Sequence, residues 1–397
     1  MLQTEKLNIN YFYKKESMEN QRKKIAIFSN IPAPYFVDYC EELSIYADLT
    51  VVFELKTAKN RQKCWYKKSK KFKTVFLKSI RLSKESALSL GFKKILKNNH
   101  FDFILVCNPL TPTGILLIRY LKKHHYFYAI QSEGGFQKSG KGLKEKIKKS
   151  VISNASFYLS GMSLNDSGYF SFYAHKNAKI YSYHFASYRE NLIDKKLLSN
   201  EEKSNLRAKL DLGTVPVILY VGHFIPSKGF SLVLELANLM KDKPVSICFV
   251  GGKPSDEDLK YLTDNNINNV KFLSFLDQKE LSNVYHAASL LVLPTYSDTW
   301  GLVVNEAMSN GLPVLTSDMC VAGLEFFKEA HPECLIKTGE INDLFEKVSN
   351  IIFDEEKLYE LGNFGLERIK QHSIENMAQE VFGYITKEFE ERENQDK

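Results

Sequence analysis

The 397-residue chain is 44% hydrophobic and 25% charged, which excludes fibres and extended disorder, and its length predicts roughly two or three domains. The six cysteines (Cys40, Cys64, Cys107, Cys248, Cys320 and Cys334) form no CxxC pair and several lie in apolar runs, so buried thiols in a reducing compartment are expected rather than disulfides or zinc. Residues 1–190 carry 33 basic and 14 acidic side chains, while residues 191–397 carry 21 and 33; the halves are expected to meet different partners, with the basic one drawn to anionic surfaces or substrates.

Residues 1–23 are read as a flexible N-terminal segment. They hold no apolar signal core, and no later apolar run approaches the roughly 18 residues of a membrane span, so a cytoplasmic protein is expected. From residue 24, the runs KIAIFS, LTVVFE, FDFILVC, YFYAIQ and ASFYLS read as short buried strands. Helical periodicity over 83–98, 112–124 and 142–152 separates some of them, which predicts βαβ units and a parallel sheet in a domain spanning 24–190. A polar stretch with an exposed helix follows. PVILYVG, VSICFV, VKFLSFL and ASLLVLP then begin a second such series over 191–372, and residues 373–397 are expected to be a C-terminal helix packing back on the first domain. The fold class is therefore α/β, with two Rossmann-like, doubly wound domains facing a central cleft and ligands beyond the carboxyl ends of the strands.

Two stretches of the second domain carry chemistry. In YSDTWGLVVNEAM, which follows the strand LLVLP, a helix beginning near Trp300 and Gly301 leaves the amides of Gly301, Leu302 and Val303 free to meet a phosphate. Asp298 flanks that helix start and Glu306 lies on its second turn, about 7.5 Å along the axis from Gly301; carboxylates so placed can accept from sugar hydroxyls. Taken alone, the spacing is ordinarily a helix cap and a solvated glutamate. The second stretch, YVGHFIPSKGF, places Lys228 and Gly229 at the head of a helix read over 228–241. A lysine there opposes the macrodipole unless it faces an anion.

Together these stretches resemble glycosyltransferase family 4, the retaining sugar-nucleotide transferases of GT-B fold. The family's acid, seven residues and glutamate read Asp298, TWGLVVN and Glu306; its VGR-x4-KG element reads VGHFIPSKG; and VKFLSFLDQKELSNVYHAASLLVLP and NEAMSNGLPVLTSD continue the match over 215–318. SNIPAPYF, with Pro34 and Tyr35, and QSEGG, with Glu133 and Gly134, resemble capsule and surface-polysaccharide members. The resemblance implies that Glu306 binds the donor ribose and Asp298 the transferred sugar. It also implies that Lys228 and the 301–303 amides neutralise the diphosphate, with His223 and Thr299 beside it, and that Phe275 and Leu276 border the base. Pro34, Tyr35, Glu133 and Gly134 would face the acceptor, Glu133 standing where other members often carry a histidine. Here the first acid is Asp rather than Glu, and His223 replaces the usual arginine.

The resemblance implies a retaining hexosyltransferase that uses a nucleotide-sugar, a UDP-sugar in the first instance, as co-substrate, with no cofactor and no metal. Front-face attack, in which the departing phosphate takes the acceptor's proton, needs no protein nucleophile. Two other classes remain open: a GT-B sugar-nucleotide epimerase and a non-catalytic sugar-nucleotide sensor. GFQKSGKG (135–142) nearly spells a P-loop, but Gly142 stands where a Ser or Thr would hold Mg²⁺. Asp256, Glu257 and Asp258 mimic a metal-binding DxD but open a helix, where acids suit the dipole. No nucleic-acid reading module accompanies the basic run 59–73. Lysines interleaved with aromatics in CWYKKSKKFK instead predict a peripheral enzyme on the anionic inner face of a membrane, with a lipid-linked or anionic glycan acceptor.

Overall fold

The computed structural model describes residues 22–57, 67–137, 142–162 and 168–395. Residues 1–21, the basic segment 58–66 with Cys64, and 138–141 of the P-loop-like stretch lie outside it. In the first half, strands β1 (Lys24–Ser29), β2 (Asp48–Phe53), β3 (Lys73–Phe76), β6 (Phe103–Val106), β7 (Tyr128–Ser132), β8 (Phe157–Ser160) and β9 (Ile180–Ser182) form one sheet in the order β3-β2-β1-β6-β7-β8-β9. All its neighbours pair in parallel. Along β1 the side chains alternate between two cores: Ile25 and Ile27 join one, Ala26 and Phe28 the other, all buried. A sheet covered on both faces explains why these runs read as nearly continuous apolar stretches.

Helices α1 (Pro34–Leu43), α2 (Phe92–Asn98), α3 (Pro112–Lys123), α4 (Leu143–Ile152) and α5 (Tyr169–Tyr173) belong to this half. The helix read over 83–98 is a correction: residues 80–88 form an antiparallel hairpin of β4 (Ile80–Arg81) and β5 (Ala87–Leu88), and only 92–98 are helical. Serine decides the difference. Ser83 and Ser86 bond to each other through their hydroxyls, Leu82 N–H donates to the Ser86 carbonyl, and the Ser89 hydroxyl donates to the Lys78 carbonyl. Short hydroxyl side chains that bond locally compete with the helix.

The second half holds β10 (Val217–Val221), β11 (Ser246–Val250), β12 (Val270–Leu273), β13 (Leu290–Leu293), β14 (Val314–Ser317) and β15 (Leu335–Ile336), in the order β12-β11-β10-β13-β14-β15 and again parallel. Its helices are α6 (Asn200–Lys209), α7 (Phe230–Leu239), α8 (Asp256–Asp264), α9 (Gln278–Ala287), α10 (Leu302–Ser309), α11 (Val321–Phe327), α12 (Ile341–Ile352) and α13 (Glu355–Ile369). Ser255 and Asp258 close a capping box at the start of α8, so Asp258 spends its carboxylate on its own helix.

The chain crosses between the halves twice. After β9 it passes through Tyr183–Arg189, and after α13 it returns at His372 to begin α14 (Ile374–Gln395). The Phe185 carbonyl ties the crossings together, facing His372 Nδ1 at 3.1 Å and accepting from the Asn305 amide of α10 at 3.2 Å. Helix α14 lies on the first half: Tyr46 and Phe382 stack at 5.2 Å, and the Tyr384 hydroxyl donates to the Ser182 carbonyl at 2.8 Å. Arg189 pairs with Asp38, Glu41 and Glu42 of α1 and with Glu375 of α14. Lys67 also pairs with Asp38 and Glu41, so part of the basic run's charge is met within the protein.

Candidate functional site

A cavity of about 780 Å³ lies between the carboxyl ends of the two sheets, within the usual size of a small-ligand site. The second half supplies His223, Lys228 and the run Asp298–Val303 to its walls. Helix α7 starts at Phe230, after a 3₁₀ turn Pro226–Lys228. Lys228 therefore ends that tight turn, a shift from the helix read over 228–241. The junction needs glycine: Gly229 has φ +71, and a Cβ there would lie 2.0 Å from the Pro294 carbonyl oxygen. This close approach laces the two motifs together. The Ser227 carbonyl accepts from Tyr296 N–H and from the Thr295 hydroxyl, both at 2.9 Å, and the Lys228 ammonium reaches the Asp298 carboxylate.

Asp298 is held from behind. Its N–H donates to the Met319 carbonyl at 2.9 Å, and it bridges Cys320 as an isolated parallel pair. Trp300 is buried and donates through Nε1 to the Asn305 carboxamide at 2.7 Å. These contacts fix the start of α10, whose N-cap is Gly301; Gly301, Leu302 and Val303, at the end of the helix that leaves backbone amides unpaired, line the cavity with Lys228.

The first half answers with Glu133 and Tyr35. The Tyr35 hydroxyl, from the first turn of α1, donates to the Glu133 carboxylate at 2.6 Å. Burial pushes the Glu133 carboxyl above the usual range, the Tyr35 hydrogen bond pulls it back, and the Asp298 charge across the cavity adds to the rise. Gly134 (φ +154) is where the halves nearly touch: a Cβ there would lie 2.8 Å from Val321 and 3.2 Å from the Thr299 carbonyl.

Thus Tyr35, Glu133, Gly134, His223, Lys228, Asp298, Thr299, Trp300, Gly301, Leu302 and Val303 meet in one cavity. The remaining residues of the sequence reading stand elsewhere. Pro34 opens α1 at its N1 position. Glu306 is on the second turn of α10, where its carboxylate accepts from the Tyr285 hydroxyl at 2.8 Å and burial raises its pKa. Phe275 is exposed and Leu276 partly so, in the loop between β12 and α9. The sequence reading missed Asn30, Asn108, Gln131 and Tyr183 on the first-half wall, and Met377, which α14 brings to the same cavity. Asn30 and Asn108 follow strands and Gln131 is the last residue but one of β7, near the strand ends where ligands sit in this class of sheet.

Residues 202–368 match the family Glycosyl transferases group 1. The matched span contains Lys228, Asp298, Glu306 and the α10 amides. Over 305 residues the chain is 25% identical to the N,N'-diacetylbacillosaminyl-diphospho-undecaprenol alpha-1,3-N-acetylgalactosaminyltransferase of Campylobacter jejuni, covering 73% of this chain and 75% of that protein. It is 30% identical over 163 residues to a sulfoquinovosyl transferase of Arabidopsis thaliana, covering 40% of this chain and 30% of that one. Among solved structures, sucrose-phosphate synthase from Thermosynechococcus elongatus superposes with a TM-score of 0.73 at 20% identity, over 93% of this chain and 99% of that one. An Anabaena protein solved with UDP and glucose gives 0.72 at 15% identity, over 92% and 100%. The fold is GT-B. Two parallel sheets with a cleft between them superpose on these solved structures over more than nine-tenths of the chain.

Proposed function

We propose that this protein is a retaining, metal-independent glycosyltransferase that moves a sugar from a UDP-sugar to a lipid-linked or surface-polysaccharide acceptor. The observation that carries the reading is the convergence, in one cavity, of Lys228, Asp298 and the amide end of α10 opposite a carboxyl held by Tyr35. Breaking the bond between the anomeric carbon and the phosphate oxygen leaves added negative charge on the diphosphate. Lys228 and the α10 amides would stabilise that charge as preorganised donors. Asp298, paired with Lys228, would orient the sugar hydroxyls, and His223 and Thr299 would border the diphosphate.

Neither Asp298 nor Glu133 suits a covalent intermediate. Asp298 is engaged by Lys228, and burial favours the protonated form of Glu133. The reaction would then be a single front-face exchange: the acceptor oxygen bonds to the anomeric carbon as the phosphate leaves, and the acceptor proton passes to the departing phosphate oxygen. Glu133 and Tyr35 would position that acceptor, with Pro34 and Gly134 shaping its approach. Glu306 would accept from the ribose once the Tyr285 hydroxyl yields, with Phe275 and Leu276 toward the base.

The Campylobacter relative is named for an acceptor carried on diphospho-undecaprenol, and the Anabaena structure holds UDP and glucose; both support the substrate classes chosen. No helix among the described residues is long and apolar enough to cross a membrane. The attachment we propose is peripheral, at the cytoplasmic face, through basic side chains of the first half. Because Lys67 is paired within the protein, Lys68 and Lys70 are the better charge-reversal sites.

The test is a panel of UDP-, GDP- and dTDP-sugars incubated with membrane extract and EDTA, read by mass spectrometry and by the anomeric configuration of the product. The proposal expects transfer with retention. Isomerised sugar without acceptor would make the protein an epimerase, tight UDP binding without turnover a sensor, and a strict Mn²⁺ or Mg²⁺ requirement would overturn the metal-free reading.

A further inference from the structure

The β4–β5 hairpin has one face accounted for and one that core packing leaves unexplained. On the packed face, Ala87 is buried against Ile31 and Leu55. Its N–H donates to the Glu54 carboxylate at 3.3 Å, and its carbonyl accepts from the Thr113 hydroxyl at 2.7 Å. Glu54 follows β2 and Thr113 lies in the first turn of α3, so the hairpin is fastened to the carboxyl edge of the first sheet. That is the edge on which the cavity opens, and Glu85 and Ser86 of the hairpin line it.

The other face is apolar and exposed. Ile80 is 69% exposed and Leu82 57%, while Leu90, just beyond β5, is 56% and Leu110, after β6, is 41%. Arg81, between the first two, turns its guanidinium back to the carbonyls of Thr57 and Lys84, leaving its neighbours pointing the other way. A half-solvated hairpin ordinarily puts polar residues outward. Around this face the charge has one sign: residues 78–97 hold six basic side chains and a single acid, Glu85, and Lys78, Lys84, Lys93, Lys94 and Lys97 are all exposed.

We propose that this hairpin, with Leu90 and Leu110 beside it, enters the headgroup layer of an anionic membrane, setting the mouth of the cleft against the lipid from which the acceptor is drawn. The inference rests on the lipid-linked acceptor reading above. Branched aliphatic side chains gain by leaving water, and the surrounding ammonium groups meet anionic headgroups. A nucleic acid would match the lysines but not the aliphatic face. Since Leu110 lines the cavity as well as standing exposed, a glycan whose lipid tail stays in the bilayer has a short path from the membrane to Glu133.

The experiment is flotation of the full chain on vesicles of phosphatidylcholine, alone or mixed with phosphatidylglycerol, without any nucleotide. The parent should float with the mixed vesicles only. Burying one such side chain is worth roughly tenfold or more in partition, so I80S/L82S should weaken partition at least tenfold and leave UDP affinity unchanged. Should that variant fail to fold, a Leu82→Cys protein carrying an environment-sensitive dye supplies the second readout: its emission should shift to the blue on mixed vesicles. Unaltered flotation of I80S/L82S, an unshifted dye, no flotation of the parent, or a parent dimer that I80S/L82S abolishes would each overturn the proposal, the last assigning the face to a second copy of the chain. A protein that floats as expected yet binds no UDP would instead defeat the functional reading and leave the docking face standing.

Discussion

Glu54 offers a test of the first half that needs no substrate. Its side chain is 5% exposed and accepts from the Thr111 hydroxyl and the Ala87 N–H. Burial raises its pKa from 4.5 to about 7, and the two hydrogen bonds only partly offset the rise. A carboxyl whose folded pKa lies above its unfolded value stabilises the fold fully below the unfolded value and loses that contribution as pH rises through the folded one. At 1.36 kcal/mol per unit, the loss between about pH 4.5 and pH 8 is on the order of 3 kcal/mol. Glu54→Gln keeps an acceptor for Thr111 without the charge. In urea unfolding followed by circular dichroism at steps from pH 5 to pH 8.5, the parent should lose stability relative to the variant as pH rises from 5, with the difference levelling off above about pH 7. Parallel curves would refute the argument, because other titrating groups, including the raised Glu133 and Glu306, are common to both proteins.

Lys228→Ala should lower turnover by roughly 10² to 10³, the loss that follows removal of one preorganised donor, with circular dichroism unchanged; activity within threefold of the parent would remove Lys228 from the charge-stabilising role. Glu306→Ala should weaken UDP binding, read by calorimetry, while leaving vesicle flotation intact. Gly229→Ala should cost more than the usual surface substitution, because its Cβ meets the Pro294 carbonyl at 2.0 Å from a left-handed backbone; a lowered melting temperature together with lost UDP affinity is expected, and unchanged values for both would show that the junction relaxes freely.

The second-half wall of the cavity was legible because its parts are local. Lys228 and Gly229, and Asp298 through Glu306, each sit on a strand, loop and helix contiguous in sequence, so spacing carries the geometry. What spacing could not carry was the lacing of the loops through Ser227 and Tyr296, or that Lys228 closes a 3₁₀ turn rather than opening α7. The first-half wall was less legible, since it gathers Asn30, Asn108 and Tyr183 from the ends of three strands far apart in sequence. The hairpin misread had a physical origin. KESALSLGFKKILK has helical amphipathic spacing, yet the hydroxyls of Ser83, Ser86 and Ser89 and the buried Glu54 carboxylate draw its first part into an antiparallel pair.

The carbonyl of Phe185 joins both chain crossings, meeting His372 of the second and Asn305 of α10. Burial depresses the His372 pKa to about 3, so this ring stays neutral across the physiological range. Asn305 also holds the Trp300 indole, so one carboxamide links the chain crossing at Phe185 to the start of α10.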